Sequence, residues 1–115
     1  MSSLPPAQIE SRDEQTLRLV LDLTPDMAVF AGHFPQRAVL PGVAQIDWAM
    51  GFAAAELGLS QRAARTFQVK FRRVIQPPAR AELDLRLDRA RQRLRFVYRL
   101  GGEISSQGSI VLDAP

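Results

Sequence analysis

The chain carries one histidine and no cysteine, so few of its side chains can move a proton or attack a carbonyl. His33 lies in a run crowded with proline and glycine, residues 30–42, and Asp47 follows fourteen residues later inside an apolar stretch. Imidazole is the one side chain whose ordinary pKa falls near neutrality, which makes it a ready base. Asp47 stands between Ile46 and Trp48 and shares a helical face with Val43, Met50 and Ala54. A carboxylate in such apolar company is costly unless paired or protonated, which is the setting of a general acid. Pro41-Gly42 adds a residue without a side chain at a helix start, where the first N–H groups have no internal partner. Such groups can donate to a carbonyl oxygen on which negative charge develops. Base, acid and donor together suit removal of a proton beside a carbonyl and loss of a β-hydroxyl. Taken singly, each residue has a plainer reading. A lone loop histidine is more often structural or solvated, and Gly42 alone reads better as a turn residue.

The rest of the composition narrows the field. Without cysteine there are no disulfides, thiolate metal sites or cysteine nucleophile. One histidine excludes a zinc site built on several imidazoles. No GxSxG, P-loop or GxGxxG motif is present, and neither a metal nor a cofactor is expected. The isoelectric point is about 10.5, yet the net charge is only +3. Lys70 is the only lysine, and the high value reflects arginines that stay charged far into alkali. These alternate with acids, as in Glu82, Asp84, Arg86, Asp88 and Arg89, with no block of like charge. That is a mixed solvated surface rather than a nucleic-acid footprint, and it is compatible with an acidic protein partner. The N-terminus lacks a basic segment followed by an apolar core, and no apolar run is long enough to span a bilayer, so a cytoplasmic protein is expected. With 115 residues, 46% of them hydrophobic, a single domain over 1–115 is expected.

Several elements must position those residues. Residues 1–13 read as a loose lead-in. From Gln15 to Leu23, leucines alternate with polar residues, which is the period of a half-buried strand. Residues 30–42 hold two prolines and two glycines and read as a shaped loop. Val43 to about Leu57 reads as a helix, with Pro41 near its start and Gly58 as its stop. It is apolar nearly all round, which predicts burial. Period two then returns four times: around Phe67 to Arg72, Glu82 to Asp88, Leu94 to Leu100 and Ile104 to Leu112. Gly101-Gly102 signals a tight hairpin, and Gly108 suggests a bulge. Strand, loop, buried helix and about four further strands make an α+β arrangement, an antiparallel sheet around one helix. A single sheet leaves edges that a second copy would cover.

Residues 30–43, FAGHFPQRAVLPGV, resemble the GHFPxxPVxPGV signature of the hotdog-fold 3-hydroxyacyl-acyl carrier protein dehydratases. Residues 69–77, VKFRRVIQP, are similar to the VKFRRPVxPG strand of the same family. The resemblance covers most of the chain from Gln15 to Leu112 and implies a hotdog fold. It implies that His33 is the catalytic histidine, Asp47 the catalytic acid and Gly42 the glycine whose N–H holds the thioester carbonyl. It further implies a homodimer, open to higher assembly, in which the histidine of one subunit meets the acid of the other. Phe34, Val43 and Phe71 become candidates for the wall of an acyl tunnel beside the helix, although core packing explains any one of them as well. Lys70, Arg72 and Arg73 become candidates for binding the acidic acyl carrier protein, with plain surface ion pairs as the alternative.

The departures are specific. The acid is Asp47, not the glutamate of the short housekeeping dehydratases. Ala38 and Val74 replace prolines, Pro77-Pro78 replaces Pro-Gly, and the usual LPHRYPFLLVDR opening is missing. The segments LPGVAQIDWA (residues 40–49) and SSQGSI (residues 105–110) resemble the small aryl-polyene-type branch. The implied reaction is dehydration of a 3-hydroxyacyl thioester on a carrier protein to the trans-2-enoyl thioester, in fatty-acid, lipid or polyene synthesis. Two alternatives stay open: a hotdog thioesterase using Asp47 to activate water, and a non-catalytic acyl-binding partner.

Overall fold

The structure, a computed structural model, describes residues 4–31, 38–59 and 64–112. The described elements run β1 (Ala7–Arg12), β2 (Thr16–Leu23), a turn of 3-10 helix (Ala28–Phe30), α1 (Gly42–Glu56), β3 (Ala64–Phe71), β4 (Ala79–Asp88), β5 (Arg93–Leu100) and β6 (Glu103–Leu112). The strands form one antiparallel sheet in the order β1-β2-β4-β5-β6-β3. One helix with a six-stranded antiparallel sheet is the hotdog arrangement that the sequence implies.

Alternation decides which face of the sheet is buried. Leu17, Leu19, Leu21 and Leu23 of β2 are each no more than 2% exposed, while Arg18 and Asp22 between them face solvent. Register then aligns side chains of the inner face in rows across the sheet, buried at the centre and opening to solvent at β3. One row runs Leu17, Leu85, Phe96, Gly108, Val69, and the next runs Leu19, Leu83, Tyr98, Ser106, Phe71. Each fully buried leucine or phenylalanine contributes about 1.5–3 kcal/mol relative to exposure. The Phe96 and Tyr98 rings meet edge to face at 5.8 Å. On the outer face Arg18 and Arg99 both reach Asp84, at 2.6 and 3.7 Å.

α1 lays one stripe on this core. Gln45, Trp48, Ala49, Phe52 and Ala53 are buried, which is the i, i+3, i+4, i+7, i+8 spacing of a single helical face. Its end is tied by Arg89, which donates to the Leu57 carbonyl at 2.6 Å and the Glu14 carbonyl at 3.0 Å. The hairpin expected at Gly101-Gly102 is present, with φ of 57° and 84°, the left-handed values that a two-residue hairpin turn requires.

Three expectations are corrected. The lead-in contains a strand: β1 pairs with β2, although all six of its side chains are exposed. Its stability comes from the ladder and from Asp13, whose carboxylate accepts the Gln15 and Thr16 N–H groups at 2.8 and 2.7 Å. A strand with no buried face leaves no period-two signature. Gly108 is not a bulge, since the ladder passes regularly through Val69, Gly108 and Phe96, and the irregularities lie elsewhere. Finally, α1 is buried on one side only. Opposite the Trp48–Phe52 stripe, Val43 is 77% exposed and Asp47 and Ala55 are open to solvent.

Candidate active site

The site is built where the 38–41 segment enters α1. Leu40 is buried and its N–H donates to the Ile75 carbonyl at 2.8 Å. Pro41 follows in extended backbone (φ −61°, ψ 146°) and supplies no side-chain cap. Proline lacks an N–H and a side-chain acceptor, so the helix begins abruptly at Gly42. The Gly42 backbone is not left-handed, so turn geometry does not call for glycine here. Space does: a Cβ on Gly42 would lie 2.6 Å from Cζ of Phe71. The Phe71 ring, at the end of β3, therefore rests directly on the first residue of the helix.

Gly42, Val43 and Phe71 thus share one patch. Val43 and Phe71 are 77% and 54% exposed, and Phe67, two residues before Val69 on the same face of β3, is 57% exposed. Asp47 lies one helical turn beyond Val43 and is exposed. The apolar enclosure expected for Asp47 is therefore not formed by its own chain. Val43 is exposed, while Ile46 and Met50 are half-buried against the core, and apolar type alone does not say which apolar side meets the sheet. His33 and Phe34 lie outside the described residues.

The basic residues lie apart from this patch. Lys70, Arg72 and Arg73 line a shallow hollow with Glu103 and Ile104. Lys70 follows Val69 and so projects from the other face of the sheet. Arg73 pairs with Glu103 at 2.6 Å, both side chains being more than 60% exposed, and such a pair contributes little to stability.

Beneath the patch lies a buried polar cluster that the sequence reading passed over. Gln45 is 3% exposed. Its Nε2 donates to the Leu40 carbonyl at 3.2 Å, its Oε1 accepts from Ser106 Oγ at 2.5 Å, and its backbone carbonyl accepts from the Tyr98 hydroxyl at 2.7 Å. The signal was available: a lone amide in the interior stripe of an apolar helix must find partners.

Burial, and after it the negative charge of Asp47, pushes the Tyr98 phenol well above its ordinary value of 10.0. An acid held protonated only in the folded state leaves stability intact below pH 10. It removes stability as pH rises further, because the unfolded phenol ionises first. Tyr98 is the only tyrosine, so phenolate absorbance reports it alone. Absorbance should rise together with loss of Trp48 native fluorescence above pH 10. Phenolate appearing near pH 10 in a chain that stays folded would contradict this placement.

Comparison with known proteins agrees with this geometry. Residues 9–109 match the ApeI-like family, described as ApeI dehydratase. The chain is 30% identical over 110 residues to a 3-hydroxyacyl-acyl-carrier-protein dehydratase FabZ of Erythrobacter litoralis (strain HTCC2594), covering 87% of this chain and 70% of that protein. It is 39% identical over 74 residues to a FabZ of Latilactobacillus sakei subsp. sakei (strain 23K), covering 58% of this chain. That match spans about half of the Latilactobacillus protein, 53%. Among solved structures, one described as the dehydratase heterocomplex ApeI:P from Xenorhabdus doucetiae superposes with a TM-score of 0.88 at 33% identity. It covers 97% of this chain and all of the other. With the signature residues, the sheet order and these matches in agreement, the chain belongs to the ApeI-like, aryl-polyene branch of the hotdog-fold 3-hydroxyacyl-acyl carrier protein dehydratases.

Proposed function

We propose that this chain converts a 3-hydroxyacyl thioester, presented on an acyl carrier protein, into the trans-2-enoyl thioester and water. His33 takes the proton from the carbon beside the thioester carbonyl, and the electron pair left behind forms the new double bond. The β carbon–oxygen bond breaks as the carboxyl of Asp47 gives its proton to the departing hydroxyl, which leaves as water. The Gly42 N–H donates to the thioester oxygen while it carries negative charge. The observation that carries this reading is the N-terminal turn of α1 beside edge strand β3. Gly42 opens that turn against the Phe71 ring, and the exposed Asp47 follows about 7.5 Å along the axis at 1.5 Å rise per residue.

The same face supports a homodimer. β3 is an edge strand and carries the exposed Phe67 and Phe71. A second copy pairing along β3 would cover both rings and bring its own 30–42 loop toward the first chain's Asp47. Val43, Phe71 and Phe34 then border the acyl chain, and Lys70, Arg72 and Arg73 meet the acidic carrier. No helix among the described residues is long and apolar enough to cross a membrane, in keeping with action on a carrier-bound substrate in the cytoplasm. The Xenorhabdus structure is a heterocomplex, which makes a partner subunit of different sequence the alternative to a second copy.

The test is a panel of 3-hydroxyacyl carrier proteins of different chain length and aryl or alkyl ends, read by mass spectrometry after incubation. Loss of one water from at least one member is expected. Release of free carrier thiol without enoyl product would assign a thioesterase instead. Tight binding with no reaction on any member would assign an acyl-binding partner.

A further inference from the structure

We propose that Gln45 is a positioning residue for the reaction: its side-chain amide fixes the backbone from Leu40 to Gly42 and so sets where the Gly42 N–H points. This rests on the dehydration reading above. The helix start has no side-chain cap from Pro41, so something else must hold it. Leu40 is pinned on both sides, its N–H to the Ile75 carbonyl at 2.8 Å and its carbonyl by Gln45 Nε2 at 3.2 Å. Gln45 also joins the helix to the sheet. Ser106 on β6 and Tyr98 on β5, opposite each other in register, bond its side chain and its carbonyl respectively. Phe71, which rests on Gly42, is the next member of the same row. The buried side-chain amide therefore couples β6 to the entering segment at the first helical turn, and the bond from Tyr98 to the Gln45 main-chain carbonyl adds β5. A residue needed only to fill this space would be apolar, since burying an amide is unfavourable unless its bonds are made. Oxyanion donors act only when preorganised, and a small displacement of such a group is costly to rate.

The experiment compares Gln45→Met, which keeps length but neither donates nor accepts as an amide does, with Gln45→Glu and Ser106→Ala. All are assayed with the native chain on the same 3-hydroxyacyl carrier protein, at a temperature where each is fully folded. Gln45→Met and Gln45→Glu should lower kcat about ten- to a hundredfold with KM held within about twofold. Ser106→Ala frees Gln45 Oε1 but leaves Nε2 able to bond the Leu40 carbonyl, so its kcat should fall by a smaller factor than in the Gln45 variants. A merely structural Gln45 would lower Tm in the variants and leave kcat of the folded protein unchanged, which overturns the proposal. A folded Gln45→Glu chain with native kcat overturns it even where Gln45→Met does not fold. Failure of both to fold also overturns it, because Gln45 would then serve folding alone. An inactive native chain would instead overturn the dehydration reading, so the two failures are distinguishable.

Discussion

Asp47→Asn should fold as the native chain does and lose enoyl formation by about 10²- to 10⁴-fold, the usual contribution of a positioned acid or base. The folding half of this expectation follows from exposure. Asp47 lies outside the buried stripe of α1, and exposed substitutions usually change stability by no more than about 0.5 kcal/mol. The carboxamide keeps the size of the carboxylate but cannot supply a proton to the departing hydroxyl. The bond from Tyr98 to the Gln45 carbonyl does not involve the carboxylate, so the cluster beneath the helix should survive. His33→Ala should lose activity to a similar degree. Enoyl absorbance in the ultraviolet follows both variants, and full activity in either one would falsify its assigned role.

Gly108→Ala should have the largest effect on stability of any single-methyl change in the sheet. A Cβ at that position would lie 2.6 Å from the Gln68 carbonyl oxygen and 2.9 Å from two atoms of the Phe96 ring. The ring can turn, but the carbonyl belongs to the backbone of β3 and moves only if the β3–β6 ladder opens. Overpacking of this kind costs about 1–3 kcal/mol, and in a domain of about 100 residues each kcal/mol lowers Tm by about 4 °C or more. Urea or thermal unfolding measures it directly. The opened ladder belongs to edge strand β3, so the variant should also weaken association of the protein with itself. A Tm equal to the native value would show that β3 is free to shift, contrary to the tight row Phe96–Gly108–Val69.

What the sequence told and what it hid divide on physical lines. β2, β4 and β5 were legible because one face of each is buried, and alternation such as Leu83, Leu85, Leu87 against Glu82, Asp84, Arg86 records that directly. β1 was hidden because nothing in it is buried. The helix was legible as an element, and its Gly42 start was within a residue of expectation. Its orientation was not legible: Trp48 and Phe52 face the sheet while Val43 and Asp47 face out, and apolar residues on both sides leave the choice to packing. Gly108 was read from its residue type alone as a bulge, whereas the cause is a close approach of ring and strand that only three dimensions reveal. The candidate residues Asp47 and Gly42 stand out in the sequence through type, spacing and the signature around them. Gln45 was visible too, as an interruption in an apolar run, but its meaning depends on Leu40, Tyr98 and Ser106, which are distant from one another in sequence.

The most direct measurement of the central claim, that the open face of α1 is half of a dehydration site completed by a second chain, mixes two inactive variants. His33→Ala and Asp47→Asn chains are combined in equal amounts, allowed to exchange subunits, and assayed for enoyl formation while native mass spectrometry counts mixed dimers. In a twofold-symmetric dimer each mixed pair has one intact histidine–aspartate site. Full exchange should therefore restore about a quarter of native activity, the fraction of sites made whole under that symmetry. Mixed dimers that form and remain inactive would contradict the account.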